Sequence, residues 1–347
     1  MTKCPRSPAT ISPLTETPFV RRHSLADRAT TSRGGAPAAF GGGARRALLR
    51  LAARSTLAIA LSGCAALSGA PTGTLAGAPA DRPLPEAAFS ADVLLIGEVH
   101  DNPAQHRLRL RWLDALGAQR RVAIALEQLD AARQADLDRA RAADDAAATQ
   151  ATSAEDLPAR ARRLAEAAGF DFRGWDWRLY GPVIELALRR GLPLVAANLS
   201  RSEALAVMRG GAAAPEPARW GTGERRALEE AIRDGHCGTL PESMIAPMAA
   251  AQRSRDARLA GALAEARQRS GLPVVLLAGN GHVRRDLGVP RHLAARLPGE
   301  RVFVIGMVES RDWPPVAFDH VELTAPAARD DPCRALRSGA GGAAPPR

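Results

Sequence analysis

Two stretches of this chain are apolar at every position, and each ends at a glycine with a histidine three residues beyond it. After Asp92 comes Val93-Leu94-Leu95-Ile96, then Gly97-Glu98-Val99-His100. After Pro273 comes Val274-Val275-Leu276-Leu277-Ala278, then Gly279-Asn280-Gly281-His282. A strand with one wet face alternates apolar and polar residues; an unbroken apolar run reads as a strand covered on both faces. The chain is thereby constrained to a sheet with a layer on either side. In open α/β sheets the carboxyl ends of the strands meet at the ligand crevice. Glu98, His100 and His282, far apart in sequence, are therefore expected to face one pocket.

The rest of the chain fits that frame. Strands are expected at 92–96, 122–126, 193–197, 273–278, 302–308 and 316–323. Helices are expected at 103–117, 155–168, 181–190, 202–209, 223–234 and 242–269. Apolar runs alternating with helical patterns define an α/β fold: a mostly parallel central sheet flanked by helices in three layers. The longer helical insertions, in 130–170 and 202–270, are expected to form a cap. No internal repeat is visible beyond the paired glycine–histidine pattern.

Charge and cysteine narrow the setting. The formal net charge is +10, yet residues 1–64 hold ten of the 47 basic residues and only two of the 37 acidic ones. The excess lies in the leader, so the high pI gives no reason to expect a nucleic-acid partner. Arg45, Arg46, Arg50 and Arg54 form the charged region of a secretion signal. Ser55 to Ala60 begins a short apolar stretch, and Leu61-Ser62-Gly63-Cys64 reads as a lipobox whose cysteine takes lipid and becomes the new N-terminus. That stretch is too short to span a bilayer. The expected domains are a leader over 1–64, a Gly/Pro/Ala-rich tether over 65–87, one α/β domain over 88–333, and a disordered tail over 334–347. The expected location is the bacterial cell envelope, facing the periplasm or the surface. With Cys4 in the leader and Cys64 lipidated, Cys237 and Cys333 remain. An oxidising compartment invites a disulfide between them, the alternative being two free thiols.

Several polar groups stand where apolar strands end: Glu98, His100, Glu127, Asn198 and His282. Glu98 and His100 share a side if strand geometry persists. The alternative is that the glutamates cap helices or pair with arginines, with the histidines as turn residues. Asp101-Asn102-Pro103 reads as a turn and helix cap with proline at the first helical position. Gln252, Arg255 and Asp256 share one face of a long helix. Covalent-haem CxxCH, HExxH, GxSxG, P-loop and GxGxxG signatures are all absent.

The segment Val93 to His106, VLLIGEVHDNPAQH, resembles the opening motif of the ChaN-type haem-binding lipoproteins of the Tiki/TraB/erythromycin-esterase superfamily. The likeness continues through ALEQLD (125–130), LPLVAANLSR (192–201), GHCGTLPE (235–242), AQRSRDARLA (251–260) and VVLLAGNGHVRRDLGVP (274–290). It implies a lipid-anchored protein of haem and iron uptake, with haem as cofactor and a homodimer holding haem at its interface. Tyrosinate ligation of ferric haem is implied too, which points to Tyr180, the single tyrosine, beside Trp175 and Trp177. Haem contacts then extend to His106, Arg255, Glu98, His100 and His282. Where the family shows a His-His pair, this chain has Gln105-His106. The superfamily also implies an alternative, a hydrolase in which His100 is general base, Glu98 or Glu127 orients it, and His282 completes an oxyanion or divalent-metal site. Lipidation is checked directly: Cys64→Ala should move the protein from the membrane to the soluble fraction with the domain still folded, whereas unchanged retention without a lipid adduct would remove the lipobox.

Overall fold

A computed structural model describes residues 82–150, 156–213, 216, 218–331 and 333–334. The expected leader and lipobox, the tether up to residue 81 and the tail beyond Arg334 lie outside the described residues. The chain runs α1 (Glu86–Ser90), β1 (Val93–Glu98), α2 (Pro103–Gln119), β2 (Ala123–Asp130), a 3-10 turn (Ala131–Arg133), α3 (Gln134–Gln150), α4 (Leu157–Ala167), α5 (Trp177–Arg189), β3 (Leu194–Asn198), α6 (Arg201–Met208), α7 (Thr222–Gly235), α8 (Glu242–Ser270), β4 (Val274–Gly279), α9 (Asn280–Val283), α10 (Val289–Arg296), β5 (Val302–Val308) and β6 (His320–Leu323). The six strands form one parallel sheet in the order β3-β2-β4-β1-β5-β6.

The two glycine-ended strands are direct neighbours. Val93 pairs with Val274 and, at the far end, Glu98 pairs with Gly279. His100 and His282 therefore leave the same edge of the sheet from adjacent strands. Alternate side chains feed two cores, as a doubly covered sheet requires. Leu94, Ile96, Ile124, Leu126, Val275 and Leu277 pack beneath the α1–α5 side. Val93, Leu95, Ala123, Ala125, Val274 and Leu276 pack against α8 and α10. The three layers and the parallel sheet are those read from the sequence.

The differences have local causes. The folded body starts before residue 88, because Leu84 is buried and the Arg82 carbonyl accepts from the Trp112 indole at 3.0 Å. The last strand keeps only His320–Leu323, since 309–319 form a loop. Helix α5 starts four residues before the expected 181. Asp176 caps it, accepting from the Arg178 amide at 3.0 Å, and Pro182 falls early enough to forfeit a bond only to the helix's second residue. Helix α3 was not resolved as an element in the sequence because it is polar and Ala-rich, with Leu137 as its one buried leucine.

Gly97 is needed for the crossing of β1 and α9. A Cβ there would stand 2.5 Å from the Val283 side chain and closer still to the Asn280 carboxamide oxygen. Asn280 is fixed in turn by donating to the Met307 carbonyl at 2.6 Å. Gly97→Ala should cost roughly 1–3 kcal/mol through overpacking, read as a lower urea midpoint with unchanged slope; an unaltered midpoint would show that α9 can yield freely.

Candidate functional site

Helix α2 begins where the sequence places it: the Asn102 carboxamide oxygen accepts from Ala104 at 3.0 Å and Gln105 at 3.2 Å, with Pro103 at the first position. This start aims the next turns of α2 at the end of β1. Arg109, fully buried, pairs with one oxygen of Glu98. The other oxygen accepts from the Tyr180 hydroxyl at 2.7 Å and lies 3.1 Å from His100 Nδ1. Burial pushes Arg109 down to about 10, so it stays charged at neutral pH. A buried carboxylate is costly alone and tolerable with a matched cation and hydrogen bonds.

His106 sits behind this group, not in a pocket. Its Nε2 lies 2.8 Å from the His100 carbonyl and its Nδ1 3.2 Å from that of Leu179. Burial pushes the ring down to about 4, so it is neutral and carries one proton. The nearer carbonyl, that of His100, is the better acceptor. His106 thus fixes the backbone that presents His100.

A second buried group lies across Gly279. His282 donates from Nδ1 to Asp256 Oδ1 at 2.6 Å and approaches Glu127 Oε1 through Nε2 at 3.3 Å. The other Glu127 oxygen accepts from the Gly279 amide at 2.8 Å. Burial opposes charge on His282, but Glu127 and Asp256 outweigh it and push the ring up to about 10. Burial likewise works against ionised Glu127, while His282 and His100 hold its carboxyl well below the usual range. Asp256 is pushed up to about 6 by burial, with His282 pulling the other way. His100 goes in the opposite sense from His282: burial lowers its pKa and keeps the ring neutral. A Cβ at Gly279 would lie 2.7 Å from His100 Nε2, so only glycine admits His100 beside Glu127.

These groups form the floor of a cavity of about 500 Å³. His100, Glu127, His282, Asn198, Gln252 and Arg255 all line it, as does Trp175, whose ring meets His100 edge-on at 4.9 Å. The opposite wall, from α6, α7 and α8, brings Leu205, Met208, Ile232, Met248 and Ala251. Arg201, His236, Asp130 and Asp171 also line the cavity. Tyr180 is not part of it. The ring is 1 % exposed, its hydroxyl is spent on Glu98, and burial pushes its pKa well above the phenol's usual value. The expected iron ligation by Tyr180 is corrected on that ground, and the expected contacts from Glu98 and His106 likewise fall behind the cavity wall.

His236, in the GHCG loop that follows α7, also lines the cavity. Its Nδ1–H donates to the Ile232 carbonyl at 2.8 Å, which orients the ring and leaves Nε2 as the other ring nitrogen. Cys237 beside it is disulfide-bonded to Cys333, with Cα atoms 5.5 Å apart. Arg109 was missed; only its position three residues after His106 on one helix face hinted at it.

Residues 84–293 match the family described as haem-binding uptake, Tiki superfamily, ChaN, and the chain belongs to that family. Among solved structures, ChaN of Campylobacter jejuni with cofacially bound haem superposes with a TM-score of 0.56 at 23% identity, covering 67% of this chain and 87% of that one. That likeness bears on the fold. The type III effector HopBA1 matches at 11% identity over 69% of this chain and 90% of its own, TM-score 0.37. An erythromycin esterase variant in its open conformation matches at 15% over 63% and 70%, TM-score 0.36. No curated protein sequence matches.

The charge on His282 has a measurable sign. Its raised pKa means that its contribution to stability is complete below the ordinary histidine value of 6.5 and is lost as pH rises through about 10. His282→Gln should cost about 3–5 kcal/mol near pH 6, the scale of a broken buried pair. The gap in Tm between wild type and variant should then narrow steadily between pH 6.5 and 10; a constant gap would mean that His282 is neutral in the fold.

Proposed function

We propose that this chain binds ferric haem at the mouth of the cavity and serves haem-iron uptake from the bacterial cell envelope, where lipid on Cys64 anchors it to the membrane. The observation that carries the reading is that an apolar wall, His236 and two arginines line one cavity. A porphyrin needs apolar surface, and Leu205, Met208, Ile232 and Met248 offer it. Its propionates need cations, and Arg201 and Arg255 line the cavity. Its iron needs a donor, and His236 has Nε2 free because Nδ1 is committed to a backbone carbonyl. A carbonyl-oriented imidazole is the usual arrangement of a histidine ligand. Haem lying at the mouth leaves its outer face to a second copy of the chain, so the homodimer belongs to the same proposal.

The hydrolase reading keeps one specific support. His100 is held neutral and His282 cationic on the same floor, which is the division of labour an acid–base pair needs. Glu98 would orient His100 through Nδ1, with Glu127 and Asp256 maintaining the charge on His282. The divalent-metal version is corrected: both His282 nitrogens face carboxylates, and no group of three or more His, Cys, Asp or Glu side chains among the described residues is arranged to hold a metal ion.

Titration of the purified domain with ferric haem, followed at the Soret band, decides between them. Saturable binding is expected, weakened at least about tenfold (~1.4 kcal/mol) in His236→Ala and little changed in Tyr180→Phe. A loss in Tyr180→Phe with His236→Ala unaffected would restore the tyrosine. Absence of saturable binding, together with ester hydrolysis lost in His100→Ala, would establish the hydrolase instead.

A further inference from the structure

The turn that presents His236 is built around an exception. Helix α7 ends with the Gly238 amide donating to the Arg233 carbonyl at 2.9 Å and the Cys237 amide to that of Asp234 at 2.9 Å. This is the Schellman pattern, whose left-handed position is ordinarily glycine. Here that position is Cys237, with φ 58°, the only non-glycine residue with positive φ among the described residues. A side chain in that conformation is disfavoured, because its Cβ crowds the following carbonyl. Such strain persists where the surroundings hold it in place, and here a covalent bond to Cys333 does so.

The other end of that bond is fixed to the scaffold. After β6 the chain turns across the carboxyl edge of the sheet. The Ala325 carbonyl accepts from the Asn102 side chain at 2.9 Å, and the Ala327 amide donates to Glu309 at 2.9 Å. Arg329 bonds Asp101 at 2.9 Å and also pairs with Glu309. Residues 324–331 are thus tied to the β1–α2 loop and to the end of β5. The disulfide carries that anchorage across to the α7–α8 turn, 96 residues away in sequence. His236 is the residue immediately before the bridge.

We propose that the Cys237–Cys333 disulfide is a redox-sensitive positioning strap: when oxidised it holds His236 toward the cavity, and its reduction frees the turn and weakens the hold on the ligand. The ligand side of this inference rests on the haem reading of the same cavity. A dithiol reductant supplies the chemistry. One of its thiolates attacks a sulfur of the bridge, the S–S bond breaks, and a mixed disulfide forms with the other cysteine released as a thiol. The second thiol of the reductant then displaces the protein. Two electrons and two protons pass to the chain, which holds two thiols, and the reductant leaves as a disulfide. The two hydrogen bonds of the helix end are then all that hold Cys237 in its left-handed state, without the tether to Cys333.

Ferric haem titration of wild type, Cys333→Ser and Cys237→Gly, each with and without a phosphine reductant, tests the strap. Cys237→Gly is the informative variant, because glycine suits the turn but cannot be tethered. Reduction of wild type, and either substitution, should weaken binding by about tenfold, the scale of losing support behind a ligand, and should shift the Soret band. The reductant should leave the affinity of both variants unchanged. If Cys237→Gly binds like oxidised wild type with the same spectrum, the turn alone positions His236 and the proposal falls. Amide hydrogen exchange separates the strap from the haem reading. Reduction should speed exchange across 232–239 and 324–331 with β1 and β4 unaffected. Unchanged exchange overturns the strap; faster exchange in a chain without saturable haem binding supports the strap and overturns the haem reading.

Discussion

Two carboxylates placed at the ends of buried strands set the terms for everything around them. Glu98 ends β1 and Glu127 lies near the end of β2, each almost wholly out of contact with solvent. An ionised carboxylate in such a place must be met by a cation and by hydrogen bonds, or it takes up a proton. The chain meets each from a different layer. Arg109 reaches Glu98 from α2 on one face, and His282 reaches Glu127 from α9 at the sheet edge. The direction of α2, the single turn of α9 and the glycines at 97 and 279 are the geometry this pairing requires.

The result is a floor with two unlike histidines. Burial, with the charge on His282 beside it, outweighs the pull of Glu127 and Asp101 on His100 and lowers its pKa, so the ring is neutral. His282 stands between two carboxylates, so their charge wins over burial. Asp256 shares its cost, being pushed toward protonation by the same burial that His282 offsets. The floor is rigid by construction: its groups sit on strand ends or are gripped by carbonyls. The mouth is different in kind. His236 is held by the end of α7, through the Ile232 carbonyl, and by the covalent bridge at the next residue.

The sequence disclosed the floor far better than the mouth. Unbroken apolar runs marked the strands, since a doubly covered strand leaves no polar alternation to blur its limits. Glycine followed by a histidine marked the two that turned out to be neighbours, with Glu98 opposite Gly279. Asn102-Pro103 marked the start of α2. Tyr180 shows where such reading stops. A lone tyrosine among tryptophans looks alike in sequence whether it borders a cavity or fills a core. What decides is the rotation of α5 against α2, and that follows from a helix start at Trp177, masked by Pro182. Arg109 was one arginine among many, identifiable only once Glu98 was known to lie opposite. The turn that carries His236 was not legible, because it depends on a left-handed cysteine, and cysteine carries no local preference for that conformation.

The two walls of the cavity have separate origins, and this bears on what it holds. Strand ends supply the polar wall, where backbone geometry fixes each group. The inner faces of α6, α7 and α8 supply the apolar wall, where only the helix stripe is fixed. A small polar substrate would use the floor and leave the apolar wall wet, which wastes the burial that wall offers at about 25 cal/mol for each Å² covered. Under the haem proposal, a large flat amphipathic ligand would cover the apolar wall and meet the arginines that line the cavity, without displacing the charges on the floor. On that proposal the floor and the apolar wall would serve different parts of a ligand. His100 and His282 can be altered without touching the groups at the mouth, and His236 without touching the floor.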